Sequence, residues 1–124
     1  MIQPHEIFPG AWLLDHNGKP FEVESFCKKP TFDDGRYNVV NDVIRLSECS
    51  PIELTYKIVN DLDINSVTPK HIYVWMAGKE CEVENTDLDR AEFSTTHLHN
   101  LQAFFNLHYT PITINEQQLR EAIK

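Results

Sequence analysis

Only four glycines occur in 124 residues, and Gly10, Gly18, Gly35 and Gly78 stand far apart. A phosphate-cradling loop needs clustered glycines so that successive backbone N–H groups can approach the ligand, so a P-loop and a dinucleotide fingerprint are both excluded. Cysteine is as sparse. Cys27, Cys49 and Cys81 are odd in number, widely spaced and without a Cys-x-x-Cys pair, which fits reduced thiols in a cytoplasm rather than a disulfide framework or a zinc site. No stretch approaches the roughly 18 apolar residues of a membrane span, and the first ten residues, with Pro4 and Pro9, carry no apolar run of a signal or transit peptide. Positive charge is also short: 11 Lys and Arg stand against 19 Asp and Glu, a net charge of −8. That balance opposes a phosphate backbone and argues against a nucleic-acid partner; Lys28-Lys29, the only basic cluster, is too short to reverse it.

What remains is 41% hydrophobic sequence, enough for one modest core, and the expectation is a single domain over 1–124 because two independent ones would each be too small. A β-rich front part, 1–48, gives way near Ser47 to Pro51 to a mixed rear part, 49–124. In the front, Asn17-Gly18 predicts a type I′ hairpin that pairs Leu14 with Phe21 and Trp12 with Val23. Asp33-Asp34-Gly35 reads as a second hairpin tip, and Tyr37 to Leu46 as a strand with a bulge near Asp42. In the rear, a two-residue type II′ turn at Gly78-Lys79 pairs Met76 with Cys81 and Val74 with Val83, leaving Tyr73 and Trp75 opposite Glu84 and Glu82 on the other face.

Three helices are expected. Thr55 caps the first, over Tyr56 to Leu62, with Ile58, Val59 and Leu62 on one stripe. Leu98, Leu101, Phe104, Phe105 and Leu107 recur at three and four over Thr96 to His108, the period of an amphipathic helix. Its core side should carry Leu98, Leu101 and Phe105, with His97 and Asn100 toward solvent. Tyr109 to Ile114 alternates like an edge strand that tolerates Pro111, and Asn115 with Gln118 resembles a capping box for a short last helix on Leu119, Ala122 and Ile123. The sum is an α+β fold: an N-terminal β-hairpin unit of SH3-like kind packed with a small antiparallel sheet and two or three helices.

Chemistry is harder to find. His97 and His99 invite a metal, but residues two apart on a helix point to nearly opposite sides and converge only if the segment is extended. Asp87-Leu88-Asp89 could offer two carboxylates to Mg²⁺; Asn85-Thr86-Asp87 reads more simply as a loop built on Asx turns. No nucleophile with a base beside it can be nominated, so no catalytic residue, metal site or cofactor is expected. The binding candidates are Tyr73 and Trp75, with Phe32, because aromatic side chains on a sheet face away from the core make good anchors; the competing arrangement covers them with a helix as a second core layer. His99 and Gln102, on the later helix, are the other pair.

Pro51-Ile52-Glu53-Leu54-Thr55 before a helix, and His99-Asn100-Leu101-Gln102 with Phe104-Phe105 later, carry a resemblance. The chain resembles a family of small uncharacterised Bacteroidetes proteins, often encoded near prophage-like or mobile regions, with P-I-x-L-T and H-x-L-Q motifs. Ala103 stands where that family has Asn, and Tyr109-Thr110-Pro111 where it has Thr-Gly. The resemblance implies a fold and a gene context and supplies no catalytic residue. The functional expectation is therefore a small cytoplasmic protein-interaction or accessory module of prophage or mobile-element origin, not an enzyme. Its partner would be a protein or a second copy of the chain, with no membrane. The alternative is a small-ligand-binding protein or minor enzyme with a pocket near His99 and Gln102.

Overall fold

Asp15 sets the register of the first hairpin. In the computed structural model, which describes residues 2–30 and 36–124, β1 (Trp12–Leu14) runs antiparallel to β2 (Pro20–Glu22). Asp15 Oδ1 accepts from the N–H groups of Asn17 and Lys19 at 2.8 and 3.0 Å, while Gly18 N donates to the Asp15 carbonyl and Asp15 N to the Lys19 carbonyl. Gly18 is left-handed at φ 76° and Asn17 is not, so the loop is a type I turn closed by a left-handed glycine rather than type I′. One extra loop residue slips the pairing by one: Leu13 faces Phe21 and Leu14 faces Pro20. The expected pairs Leu14–Phe21 and Trp12–Val23 are thereby corrected. Because strand side chains alternate, the slip puts Ala11 and Leu13 with Val23 in the core.

The chain divides into two compact units, Met1–Ile52 and Glu53–Lys124. In the first, β3 (Phe26–Pro30) pairs with β4 (Arg36–Val40), and β4 with β5 (Ile44–Arg45). The expected single strand with a bulge at Asp42 is a hairpin instead: Asn41 and Asp42 both take positive φ, 54° and 63°, a turn that Asn and Asp tolerate better than other non-glycine residues. The Asn41 side chain then ties this turn to the bend after β2, accepting from Glu24 N at 2.6 Å and donating to the Glu22 carbonyl at 3.0 Å. A 3-10 turn, Leu46–Glu48, leads into β6 (Ser50–Pro51), which returns to pair with β1. The first unit thus holds two three-stranded antiparallel sheets, with Leu13, Val23, Val40 and Leu46 in one buried cluster. The Asp34-Gly35 turn and Phe32 lie outside the described residues.

The second unit is a meander, β7 (Ile72–Ala77), β8 (Glu80–Asn85) and β9 (Arg90–Thr95), with three helices. Together with the first unit's sheets, this makes the fold α+β. The β7–β8 register is the expected one, Val74 on Val83 and Met76 on Cys81, with Gly78 at φ 68° as the first turn residue. β9 was not foreseen. Asn85, 7% exposed, shapes the turn before it by accepting from Asp87 N and Leu88 N, the Asx loop anticipated there. α1 (Tyr56–Asp61) starts at Thr55, whose Oγ1 accepts from Ile58 N at 3.1 Å, and α3 (Glu116–Ile123) at Asn115, whose Oδ1 accepts from Gln118 N at 3.0 Å. Each satisfies one of the open donors of a first turn.

α2 (Leu98–His108) buries Leu98, Leu101 and Phe105 almost completely, as its period requires, but Leu107 is 78% exposed and stands off the core stripe assigned to it. Tyr109 to Ile114 forms no strand. Pro111 has no N–H to give a ladder, and of the segment's apolar side chains Ile112 is buried.

Candidate functional site

β7 is an edge strand, yet its outer rim is already occupied. The Asn65 amide copies a neighbouring peptide group: Oδ1 accepts from Val74 N at 2.7 Å and Nδ2 donates to the Val74 carbonyl at 2.8 Å. Only an amide side chain supplies one donor and one acceptor in that plane. Ile72 N donates to the Pro69 carbonyl, and Thr68 Oγ1 donates to the Ile72 carbonyl at 3.2 Å. Asn65 is held in place by a 3-10 turn, Ile64–Ser66, that follows a left-handed Asp63, φ 51°. An incoming strand therefore finds no open backbone at Ile72 or Val74, and whatever docks on this strand must use its side chains.

Those side chains are aromatic. Tyr73 is 50% and Trp75 37% exposed, so among the described residues no helix buries them as a second core layer. They border a groove of about 370 Å³ that also takes in Tyr56, 76% exposed, with Asn60, Asp63 and Asn65 as its polar groups. Three partly exposed aromatic rings beside convergent amide and carboxylate groups make a concave surface suited to anchoring a partner. Tyr56, Asn60 and Asp63 escaped the sequence reading because their nearness to β7 depends on how α1 returns to the sheet.

The other two candidates lie elsewhere. His99 is 1% and Gln102 5% exposed, on the same helix as Leu98, Leu101 and Phe105, and neither lines the aromatic groove. The His97 and His99 rings do lie side by side, centroids 5.8 Å apart and 15° from parallel. His97 precedes the helix with extended backbone, φ −121°, so the opposed directions of two helical positions do not apply. Among the described residues no three His, Cys, Asp or Glu side chains are placed to share a metal ion.

The thiols are free and two are inert. Burial, helped by the neighbouring Glu82 charge, pushes the Cys81 thiol up to about 12, and burial pushes Cys49 up to about 11. Neither is a thiolate near neutral pH, so neither is primed as a nucleophile.

Glu92 joins the turn before β9 to the segment after α2. It accepts from Asn85 Nδ2 at 2.9 Å and from the Tyr109 hydroxyl at 2.6 Å. These two bonds hold its pKa below the ordinary 4.5, while the bond to Glu92 raises Tyr109 to about 12. A depressed carboxylate pKa stabilises the fold above the unfolded value, and the contribution is lost as pH falls through the folded one. The melting temperature of the wild type should thus fall below pH 4.5 more steeply than that of Glu92→Gln. Parallel curves would show that the two bonds carry no net stability.

A comparison with known protein families, characterised proteins and solved structures finds no match for this chain.

Proposed function

We propose that the chain is a small protein-interaction module that docks its partner on the outer face of β7 and the adjoining groove. The observation that carries the reading is the exposure of Tyr73 and Trp75 on a strand whose backbone edge is closed by Asn65. Large aromatic side chains left open on a rigid element are the usual anchors of an interface, and here they are open where strand addition is blocked. A cytoplasmic setting is supported by the three free thiols, and an origin in a mobile element by the Pro51–Thr55 and His99–Gln102 motifs.

Capture from extracts of the source cells tests the reading when wild type is compared with Trp75→Ala and with Leu107→Ala, which removes an exposed apolar side chain elsewhere. A protein retained in stoichiometric amount by wild type and Leu107→Ala should be lost or weakened by about tenfold with Trp75→Ala, the loss of a modest anchor. Equal retention by Trp75→Ala, with that variant still folded by circular dichroism, would place the docking surface elsewhere.

A further inference from the structure

The chemistry of the partner follows from what stands across the strand from each aromatic ring. Tyr73 pairs with Glu84 and Trp75 with Glu82. Partners in an antiparallel ladder share a face, with Cβ atoms about 4.5–5.5 Å apart. The outer face of the hairpin thus repeats one unit twice: an open π-surface beside a half-buried carboxylate. Among the described residues no cation is ion-paired with those carboxylates. Among the described residues the ion pairs are Lys29 with Asp42, Arg120 with Glu116 and Lys124 with Glu121, and none involves Glu82 or Glu84. β9 continues this face with Ser94 opposite Glu82 and Ala91 opposite Glu84, neither of them basic.

A planar cation fits such a unit better than any other side chain. A guanidinium lies flat on an indole or phenol ring and at the same time donates in its own plane to a carboxylate at the ring's edge. An ammonium can satisfy the carboxylate but gains less from the ring, and an anionic or purely apolar segment would leave Glu82 and Glu84 desolvated without a partner. The net charge of −8 adds long-range attraction for a basic segment.

Resting on the docking reading above, we infer that the partner presents an arginine-bearing segment, with guanidinium groups seated on Trp75 and Tyr73 and paired to Glu82 and Glu84. Fluorescein-labelled octa-arginine, followed by anisotropy at about physiological salt, is the probe. It should bind the wild type more tightly than octa-lysine does. Trp75→Ala should weaken it by about tenfold, between the values of an exposed and a desolvated cation–π contact. The Glu82→Gln, Glu84→Gln double variant should weaken it at least as much. Glu24→Gln with Glu48→Gln removes the same two charges from the first unit and should change little.

Equal binding of octa-lysine, an unchanged Trp75→Ala, or equal losses in the two charge-matched double variants would each overturn the inference, leaving only generic attraction to an acidic protein. If the captured cellular partner still depends on Trp75 while octa-arginine discriminates nothing, the docking surface stands and the arginine assignment falls. If the captured partner ignores Trp75, the docking reading itself falls.

Discussion

Phe105→Ala is expected to destabilise the second unit by about 3–5 kcal/mol, the usual cost of emptying a buried phenylalanine site. The ring is 1% exposed and makes an edge contact with Phe104 and a tilted one with Tyr109, centroids 5.8 and 5.7 Å away. Removing it opens a cavity on the same helical stripe as Leu98 and Leu101, where the backbone cannot collapse without moving α2. Against a total stability of about 5–15 kcal/mol for an ordinary domain, such a loss brings the variant close to unfolding near body temperature. Leu107→Ala on the same helix separates packing from helix propensity. Its side chain is 78% exposed, so its melting temperature should stay within a degree or two of wild type. Equal melting temperatures for Phe105→Ala and Leu107→Ala would show that this stripe of α2 is not the core.

The second large effect is at Asn65. Replacing it with Ala leaves the N–H and C=O of Val74 without their partners at the middle of an edge strand. With roughly 1–3 kcal/mol for each group left unsatisfied, and water reaching part of this half-buried edge, the expected loss is about 2–4 kcal/mol by chemical denaturation. Asn65→Asp is the sharper variant: it keeps an acceptor for Val74 N but sets a second oxygen against the Val74 carbonyl, so it should be no better than Ala. Amide hydrogen exchange reads the same contact directly. Val74 N should exchange slowly in the wild type and fast in both variants. A Val74 amide that is equally protected in Asn65→Ala would mean that the amide is not what closes the strand.

What could be read ahead of the structure followed from how local each signal was. The β7–β8 register needed only Gly78 and a two-residue turn, the caps at Thr55 and Asn115 needed only their own first turns, and the buried stripe of α2 needed only its period. The Asp15 loop misled because the side chain before Asn17-Gly18 recruits Lys19 and lengthens the turn by one residue. Asn41-Asp42 carries no glycine, so a turn with two positive φ angles looked like a strand. β9 hides because Phe93 is its one large apolar side chain, and that ring rests on Phe104, centroids 4.6 Å apart and nearly parallel, a contact only α2 can supply. The site divides in the same manner. Tyr73 and Trp75 announce themselves by alternation along one strand, whereas Tyr56, Asp63 and Asn65 join them only through tertiary folding, and an asparagine in a polar loop gives no hint that it will serve as a strand.

The Asn65 amide also bears on whether copies of the chain can stack edge to edge. A sheet ending in an edge strand with a tyrosine and a tryptophan on it is the kind of template on which further copies stack and grow into fibres. Many proteins avoid this with a lysine or proline on the edge, at the cost of the aromatic surface. Here the Asn65 amide at Val74, with Pro69 and Thr68 at Ile72, occupies the outward backbone groups while leaving the rings uncovered. With the peptide groups of Ile72 and Val74 already bonded, a further copy finds no ladder there, and Asn65→Ala should form thioflavin-positive aggregates sooner than wild type on prolonged incubation.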